Sequence, residues 1–295
     1  MALLSGSSHY ERLVDERGLP SLEALQLEFC RERYRRIDRF ILLAVIGATQ
    51  CARAGELRRD CGLYVSSAVG PLGSNVLVQE QMVRQHLLPK PFHFVNTLGS
   101  AVGYYVARNL ELTGHSAFVS RRGGAFLSAL ALACADLECG AVPQALVGAV
   151  DECVVPLEEH RAQMGLASDA PCGESSTWVL LEPHTAARAA RRLDILRADD
   201  WSGARELLSR TLAADDTVAF GARVDVAQAR ERLGGLSGAH FDHSAIESAS
   251  RDGVRVGRFV SSAPRGALHL IGPGGRTLLR IGAELDGARD RARPS

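Results

Sequence analysis

The sequence has no excess of charge of either sign: 34 basic residues face 34 acidic ones, and nine histidines add nothing at neutral pH. That balance excludes a global field favouring nucleic acid or an anionic membrane. Lysine is almost missing, with Lys90 the only one, and the arginine bias reads as genome composition rather than chemistry. None of the seven cysteines (Cys30, Cys51, Cys61, Cys134, Cys139, Cys153, Cys172) forms a CxxC pair or a Cys/His cluster with zinc spacing, so no metal site is expected. An odd number of thiols, mostly in apolar surroundings, implies reduced cysteines and a cytoplasmic protein. No basic-then-apolar start of a signal peptide is present. The longest charge-free apolar run near the N-terminus, Phe40 to Ala48, is far too short for about 30 Å of hydrocarbon.

What is present is ordinary for a soluble globular chain of 295 residues, 46% of them apolar and 23% charged. Residues 1 to about 20 are expected to be loosely ordered, because Gly, Ser and Pro20 break any period. Ser21 caps a helix at Leu22–Phe29, and a second helix is expected from about Arg35 to Ala54, with Ile37, Phe40, Ile41, Ala44, Val45 and Ala48 on one stripe. Helices are also expected at about Ser74–Leu88, Asn96–Leu110 and Gly124–Glu138. Strands are expected at Cys61–Ser67, Ser116–Ser120, Ala145–Val150, Thr177–Glu182, Val218–Val224, Ala267–Ile271 and Thr277–Ile281. The last two flank a GPGG hairpin connection, Gly272–Gly275. Beyond about residue 185 the pattern loosens into polar, Ala/Arg-rich sequence. Apolar runs alternating with helices define an α/β protein with a central sheet.

One stretch, Phe118-Val-Ser-Arg-Arg-Gly-Gly-Ala-Phe-Leu-Ser-Ala-Leu-Ala-Leu-Ala-Cys134, reads as a strand entering a small-residue helix through a tight turn. Many enzymes carry a nucleophile on such a turn, where the helix N-terminus stabilises negative charge. Here the turn offers Arg121, Arg122, Gly123 and Gly124, with Ser120 the one candidate nucleophile.

Several segments, in order, resemble the N-terminal half of a β-ketoacyl-ACP synthase of the thiolase fold: RRIDRFILLAVIGA (Arg35–Ala48), CGLYVSSAVG (Cys61–Gly70), FHFVNTLGSAVGYYVARNLELTGHSAFVS (Phe92–Ser120), LECGAVPQALVGAVDE (Leu137–Glu152) and GESSTWVLLEP (Gly173–Pro183). The resemblance covers about 35–185. It implies a thiolase-like fold, with residues 1–34 an N-terminal extension, 35–185 a near-complete first half, and 186–295 a shortened second half ending in a hairpin. In active members a cysteine opens the helix that starts here near Gly123. Counting back from Gly140 and Asp151 places Gly123 at that position, and a two-residue shift would place Arg121 there. Neither can attack a thioester. Cys134 lies about three turns further along, roughly 16 Å away. The family's catalytic histidines are only faintly matched, by His240 and His243 in GGLSGAHFDH, with no lysine nearby.

Other signals are structural. GPGG joins two strands instead of opening a helix as a phosphate loop does. Asp242-His243-Ser244 are adjacent and cannot form a triad. RERYRRIDRF mixes charges as a solvated helix face. Asp151 and Glu152 end a strand and point to opposite sides. The resemblance therefore implies a non-catalytic subunit of the chain-length-factor type, without cofactor or metal. Such a subunit pairs with an active β-ketoacyl-ACP synthase and meets the acyl carrier protein through that partner. Its interface strand would be His115, Ser116, Ala117, Phe118, Val119 and Ser120. Val78, Met82, Val83, Phe92 and Phe94 would bound the acyl tunnel. A divergent acyltransferase or decarboxylase using the Ser120 hydroxyl or an unrecognised thiol, and a self-pairing scaffold, are the alternatives.

Overall fold

The computed structural model describes residues 1–184, 190–234, 240–241, 251–262 and 266–284. Chain order is β1 (Ala2–Val14), α1 (Glu23–Phe29), α2 (Arg39–Ala54), β2 (Gly62–Ser67), α3 (Leu72–Gln79) running into a π-helical turn (Glu80–Arg84), α4 (Pro91–Asn96), α5 (Ala101–Leu110), β3 (Ser116–Ser120), α6 (Ala125–Glu138), β4 (Ala145–Asp151), α7 (Leu157–Met164) and β5 (Cys172–Pro183). Then follow β6 (Arg191–Arg197), α8 (Trp201–Thr211), β7 (Thr217–Phe220), α9 (Val226–Arg232), β8 (His240–Phe241), α10 (Arg251–Ser261), β9 (Leu268–Ile271), a 3₁₀ turn (Pro273–Gly275) and β10 (Thr277–Glu284).

The ten strands form one sheet in the order β3-β2-β4-β5-β1-β6-β10-β9-β7-β8. Read outward from its middle, the sheet is the same unit twice. In the first unit β2 runs parallel to β3 and β4, while β5 is antiparallel to both β4 and β1. In the second, β7 runs parallel to β8 and β9, while β10 is antiparallel to both β9 and β6. The units meet where Ala2–Leu4 pair with Arg191–Leu193. The second unit's strands are shorter, β7 and β9 having four residues each and β8 two.

Helices α6 and α10 occupy equivalent places in the two units and pack on each other. The core around them draws on both units, joining Phe126, Leu130 and Ala133 to Val147, Leu181, Leu193, Ala219, Leu270 and Leu279. The opposite face of the first unit is covered by α2 and α5 around the fully buried Trp178. Gly47 and Gly148 make room for that indole, since a Cβ on either would lie 2.7 or 2.6 Å from its ring. Helices α8 and α9 cover the second unit, with Leu208 and Ala229 in one cluster with Phe220 of β7.

Residues 1 to 20, expected to be loosely ordered, contain instead the 13-residue strand β1, paired with β5 along its length. Its Gly, Ser and charged residues hide a strand whose ladder supplies what its side chains do not. The second helix starts at Arg39 and not Arg35, because the Asp38 side chain accepts from Ile41 N (2.8 Å) and fixes the N-terminus. The helix expected at Ser74–Leu88 ends its α-form at Gln79, and that expected at Asn96–Leu110 is broken into α4 and α5. The run Val218–Val224 is a strand only as far as Phe220. Strand β6 and helices α8, α9 and α10 emerge from sequence that showed no clear period. All seven cysteines are free. Among the described residues no helix is long and apolar enough to cross a membrane, and no group of acidic, His or Cys side chains is arranged to hold a metal.

Candidate functional site: the turn before α6 and an open strand edge

The turn between β3 and α6 is built as a nucleophile turn is built. Arg121 N–H donates to Ser67 O (3.2 Å), and Gly124 takes the left-handed conformation (φ 74°) from which α6 starts. A residue other than glycine would be strained there. Gly123 presents no side chain. A Cβ on it would lie 3.5 Å from both Arg223 Cδ and Pro273 Cγ and 3.6 Å from Ala222 O. Thus the turns after β7 and β9 pack in front of Gly123, with Arg223 and Pro273 in contact distance of any side chain placed there.

Beneath it lies Asp252, buried at the start of α10. Its carboxyl accepts from Ala222 N (2.8 Å) and from the backbone N–H of Gly124. Burial pushes it up to about 6, opposed by those two N–H groups and by Arg251 and Arg121. Gly221 is required beside it, since a Cβ there would lie 2.2 Å from Asp252 Oδ1. The positive end of α6 is therefore occupied by a carboxylate from the second unit. A developing oxyanion or thiolate would meet a negative charge where a catalyst supplies donors.

Other nucleophile candidates fare no better. Ser120 is exposed, and no described His, Asp or Glu side chain hydrogen-bonds its hydroxyl. Cys134 is buried in α6, and burial pushes its thiol up to about 11; burial likewise raises Cys30 to about 11 and Cys61 and Cys153 to about 12. His240 pairs with Thr217 through the backbone of β8. His243 and the Asp242-His243-Ser244 run lie outside the described residues.

Asp151 and Glu152 diverge as adjacent residues at a strand end do. Asp151 accepts from Ser67 Oγ (2.6 Å) and Ala68 N (3.1 Å), tying β4 to the turn after β2. Glu152 accepts from Gly73 N (2.7 Å), and burial, with Asp38 adding to it, pushes its carboxyl up to about 8. It lines a cavity of about 520 Å³ under α3, with Asp38, Arg39, Leu77 and Val155. Arg39 is held there by two 2.6 Å bonds to the buried Glu174.

The five tunnel candidates do not share one face. Val78 is buried in α3, while Met82 and Val83 are exposed on the π turn, which rotates the helix register. Phe92 is half-buried with the Arg36 guanidinium over its ring, and Phe94 is exposed. None of the five lines the cavity under α3.

The interface candidates lie together on β3, the outermost strand of the first unit. Leu63 N–H donates to His115 O (2.9 Å), and Arg121 N–H to Ser67 O. In a parallel ladder such bonds belong to alternate residues. His115, Ala117 and Val119 therefore bond toward β2, while the N–H and C=O of Ser116, Phe118 and Ser120 point to the open edge. Among the described residues no strand lies on that edge. Elsewhere on the first unit Met82, Val83, Leu87, Leu88, Phe94 and Val95 are exposed, Leu88 by 93%. Gly99, just before α5, lies against the Phe118 ring, where a Cβ would be 2.2 Å away.

Sequence reasoning found the turn and the edge strand but missed Asp252, Arg223 and Pro273. They are more than about 90 residues away and carry no local signal; folding alone brings them in.

A doubled five-stranded α/β unit with one helix from each half at its centre is the architecture of the thiolase fold. No protein-family model matches the chain, and no curated protein is similar to it in sequence. Similarity appears in solved structures. The ishigamide ketosynthase/chain length factor superposes with a TM-score of 0.67 at 14% identity, over 96% of this chain and 99% of that one. A type II polyketide acyl carrier protein complexed with its hexaketide-bound ketosynthase gives 0.67 at 13% identity, with the same coverage of each chain. The 3-oxoacyl-acyl-carrier-protein synthase III of Aquifex aeolicus gives 0.54 at 12% identity, over 95% and 99%.

Proposed function

We propose that the chain is a non-catalytic ketosynthase-like subunit of the chain-length-factor type. It pairs through the β3 edge with an active β-ketoacyl-ACP synthase in type II polyketide or polyene biosynthesis. The observation carrying this reading is the Gly123 turn, where the nucleophile is absent and Asp252 holds the helix end that would have activated one. The solved neighbours that contain a chain length factor or an acyl carrier protein support the partner classes. The open backbone edge of β3 supports the mode of pairing, and the exposed apolar side chains of residues 82–95 support an interface on this unit, because an open edge and exposed apolar surface both call for a cover. Val78, Met82, Val83, Phe92 and Phe94, on the same unit, are the candidates for limiting the partner's acyl chain. Residues 35–185 supply the pairing surface, and 186–295 the shortened second half that packs in front of the Gly123 turn.

Co-expression with the active synthase tests this. The expected result is a one-to-one complex by size exclusion, with about 1,000 Å² or more buried per subunit. Mass spectrometry should find no acylation of Ser120 or any cysteine of this chain by a thioester substrate. Ser116→Pro removes a donor from the open edge alone, so the chain should keep its melting temperature while pairing weakens. Val119→Asp, which places a charge among the groups packed under β3, should abolish pairing at a cost of several kcal/mol. Stoichiometric acylation would establish the acyltransferase alternative. A stable homodimer that ignores the synthase would establish the self-pairing scaffold.

A further inference from the structure

Next to the turn that carries Gly123 and Gly124, a cavity of about 720 Å³ opens between α6, the ends of β6 and β10, and the start of α8. Its volume is that of a small-molecule site. Four arginines line it, Arg121, Arg197, Arg232 and Arg276, against two carboxylates, Asp199 and Asp200. Asp200 is already engaged, capping α8 by accepting from Ser202 N (2.9 Å) and Gly203 N (3.0 Å). Several other arginines are paired, as Arg31 and Arg59 are with Glu111, Arg39 with Glu174, and Arg258 with Glu11. Around this cavity none of the four makes an ion pair with a described residue. Arg197 and Arg276 are held on neighbouring strands, where Ala198 N–H donates to Arg276 O (3.0 Å) and Thr277 is opposite Arg197. Both side chains reach the same cavity, which therefore gathers positive charge that no described carboxylate neutralises through an ion pair. Trp201 forms part of the wall, and the turn before β10 is shaped to it: a Cβ on Gly275 (φ 73°) would lie 2.9 Å from Trp201 Cα and 3.0 Å from its ring.

We propose that this cavity binds a phosphate ester carrying two or more negative charges. The guanidinium forks of Arg197 and Arg276 take the phosphate oxygens, with Arg121 and Arg232 completing the positive rim. The Trp201 indole flanks the organic part of the ester. Planar guanidinium donors match phosphate oxygens two at a time, which a single ammonium cannot do. The site is independent of pairing through β3 and stands or falls separately from it.

Fluorescence titration of the full chain tests the assignment. Of the two tryptophans Trp178 is fully buried, so a change on adding ligand reports Trp201. Pyrophosphate and ADP, titrated separately, should both saturate and compete, with ADP tighter if the indole stacks on its base. Binding should weaken as salt is raised. Arg197→Ala and Arg276→Ala should each weaken it about tenfold or more, consistent with loss of a charge-assisted hydrogen bond. Arg210→Ala, the same loss of charge on α8 from a residue paired with Glu206, should leave it unchanged. Each arginine is exposed, and two separate variants guard against one that fails to fold. The proposal is overturned if neither probe saturates, if ADP binds without competition from pyrophosphate, or if Arg210→Ala weakens binding as much as Arg197→Ala.

Discussion

Placing a thiol on the turn before α6 should not create a reactive nucleophile. Gly123→Cys fits sterically at its Cβ, whose nearest neighbours would be at 3.5 Å, and Gly123 does not adopt the left-handed backbone that would forbid a side chain. Electrostatics then decide. The Asp252 carboxyl, pushed up to about 6, is mostly ionised at pH 7 and accepts from the Gly124 N–H next along the chain. Two unit charges about 5 Å apart at an effective dielectric constant of about 20 repel by roughly 3 kcal/mol, or about two pKa units. The helix end returns about 1 kcal/mol at most. The thiol introduced by Gly123→Cys should therefore titrate near about 10, leaving about 1% or less as thiolate at about pH 7.5. Iodoacetamide alkylation followed against pH measures this directly. Adding Asp252→Asn, which keeps an acceptor for Ala222 N–H, should lower the midpoint by roughly two units and speed alkylation at neutral pH. A Gly123→Cys chain that is alkylated with a midpoint near 7, or acylated stoichiometrically by a thioester, would refute the view that Asp252 disarms this turn.

Glu152 should make the protein less stable in mild alkali. Its folded carboxyl titrates at about 8 against roughly 4.5 unfolded, so between those values the folded state holds a proton the unfolded state lacks, and stability falls as pH rises through that window. Glu152→Gln keeps the acceptor for Gly73 N–H and should flatten the dependence of melting temperature on pH between about 6 and 8.5; an unchanged slope would count against it. Met82→Ala, at a half-exposed side chain, should leave the melting temperature alone while lengthening the reconstituted partner's products, whereas Val78→Ala should lower stability by about 1–2 kcal/mol. Product analysis and thermal melts separate the two, and unchanged lengths for Met82→Ala would remove it from the tunnel. Gly47→Ala would place a Cβ 2.3 Å from Ser176 Oγ and 2.7 Å from Trp178, and should destabilise by about 1–3 kcal/mol or more in urea unfolding.

The parts of the fold legible in the sequence were those whose side chains carry the burial. Ala145–Val150 and Thr177–Glu182 are apolar runs covered on both faces, and they are strands β4 and β5. β1 and β6 escaped because their sequences mix Arg, Glu, Ser and Asp with the apolar residues. Arg192 and Asp194 pair with each other within β6, a compensation that composition does not show. Counting placed Gly123 on the turn, a local feature, whereas the edge position of β3 was expected only from the family resemblance. The packing in front of the turn was not legible, since Arg223, Asp252 and Pro273 belong to the second unit and arrive by topology. The shared face expected for Val78, Met82 and Val83 failed at a π turn, where one wider turn breaks an otherwise regular helical period.

The pairing of β1 with β5 sets a timetable for the chain during synthesis. Val14 is opposite Cys172 and Ala2 opposite Pro183, so β1 leaves the ribosome about 160 residues before its main partner exists. At about 5–20 residues per second that is a wait of roughly 8–30 s, with the first strand single and the seam between the two units unformed. A long hydrophobic strand would spend that interval seeking other chains. β1 carries Ser5, Gly6, Ser7, Ser8, Glu11 and Arg12 along most of its length and keeps its apolar residues mainly at the end that closes the seam. The composition that disguises β1 as a disordered leader is what allows it to wait unpaired without aggregating.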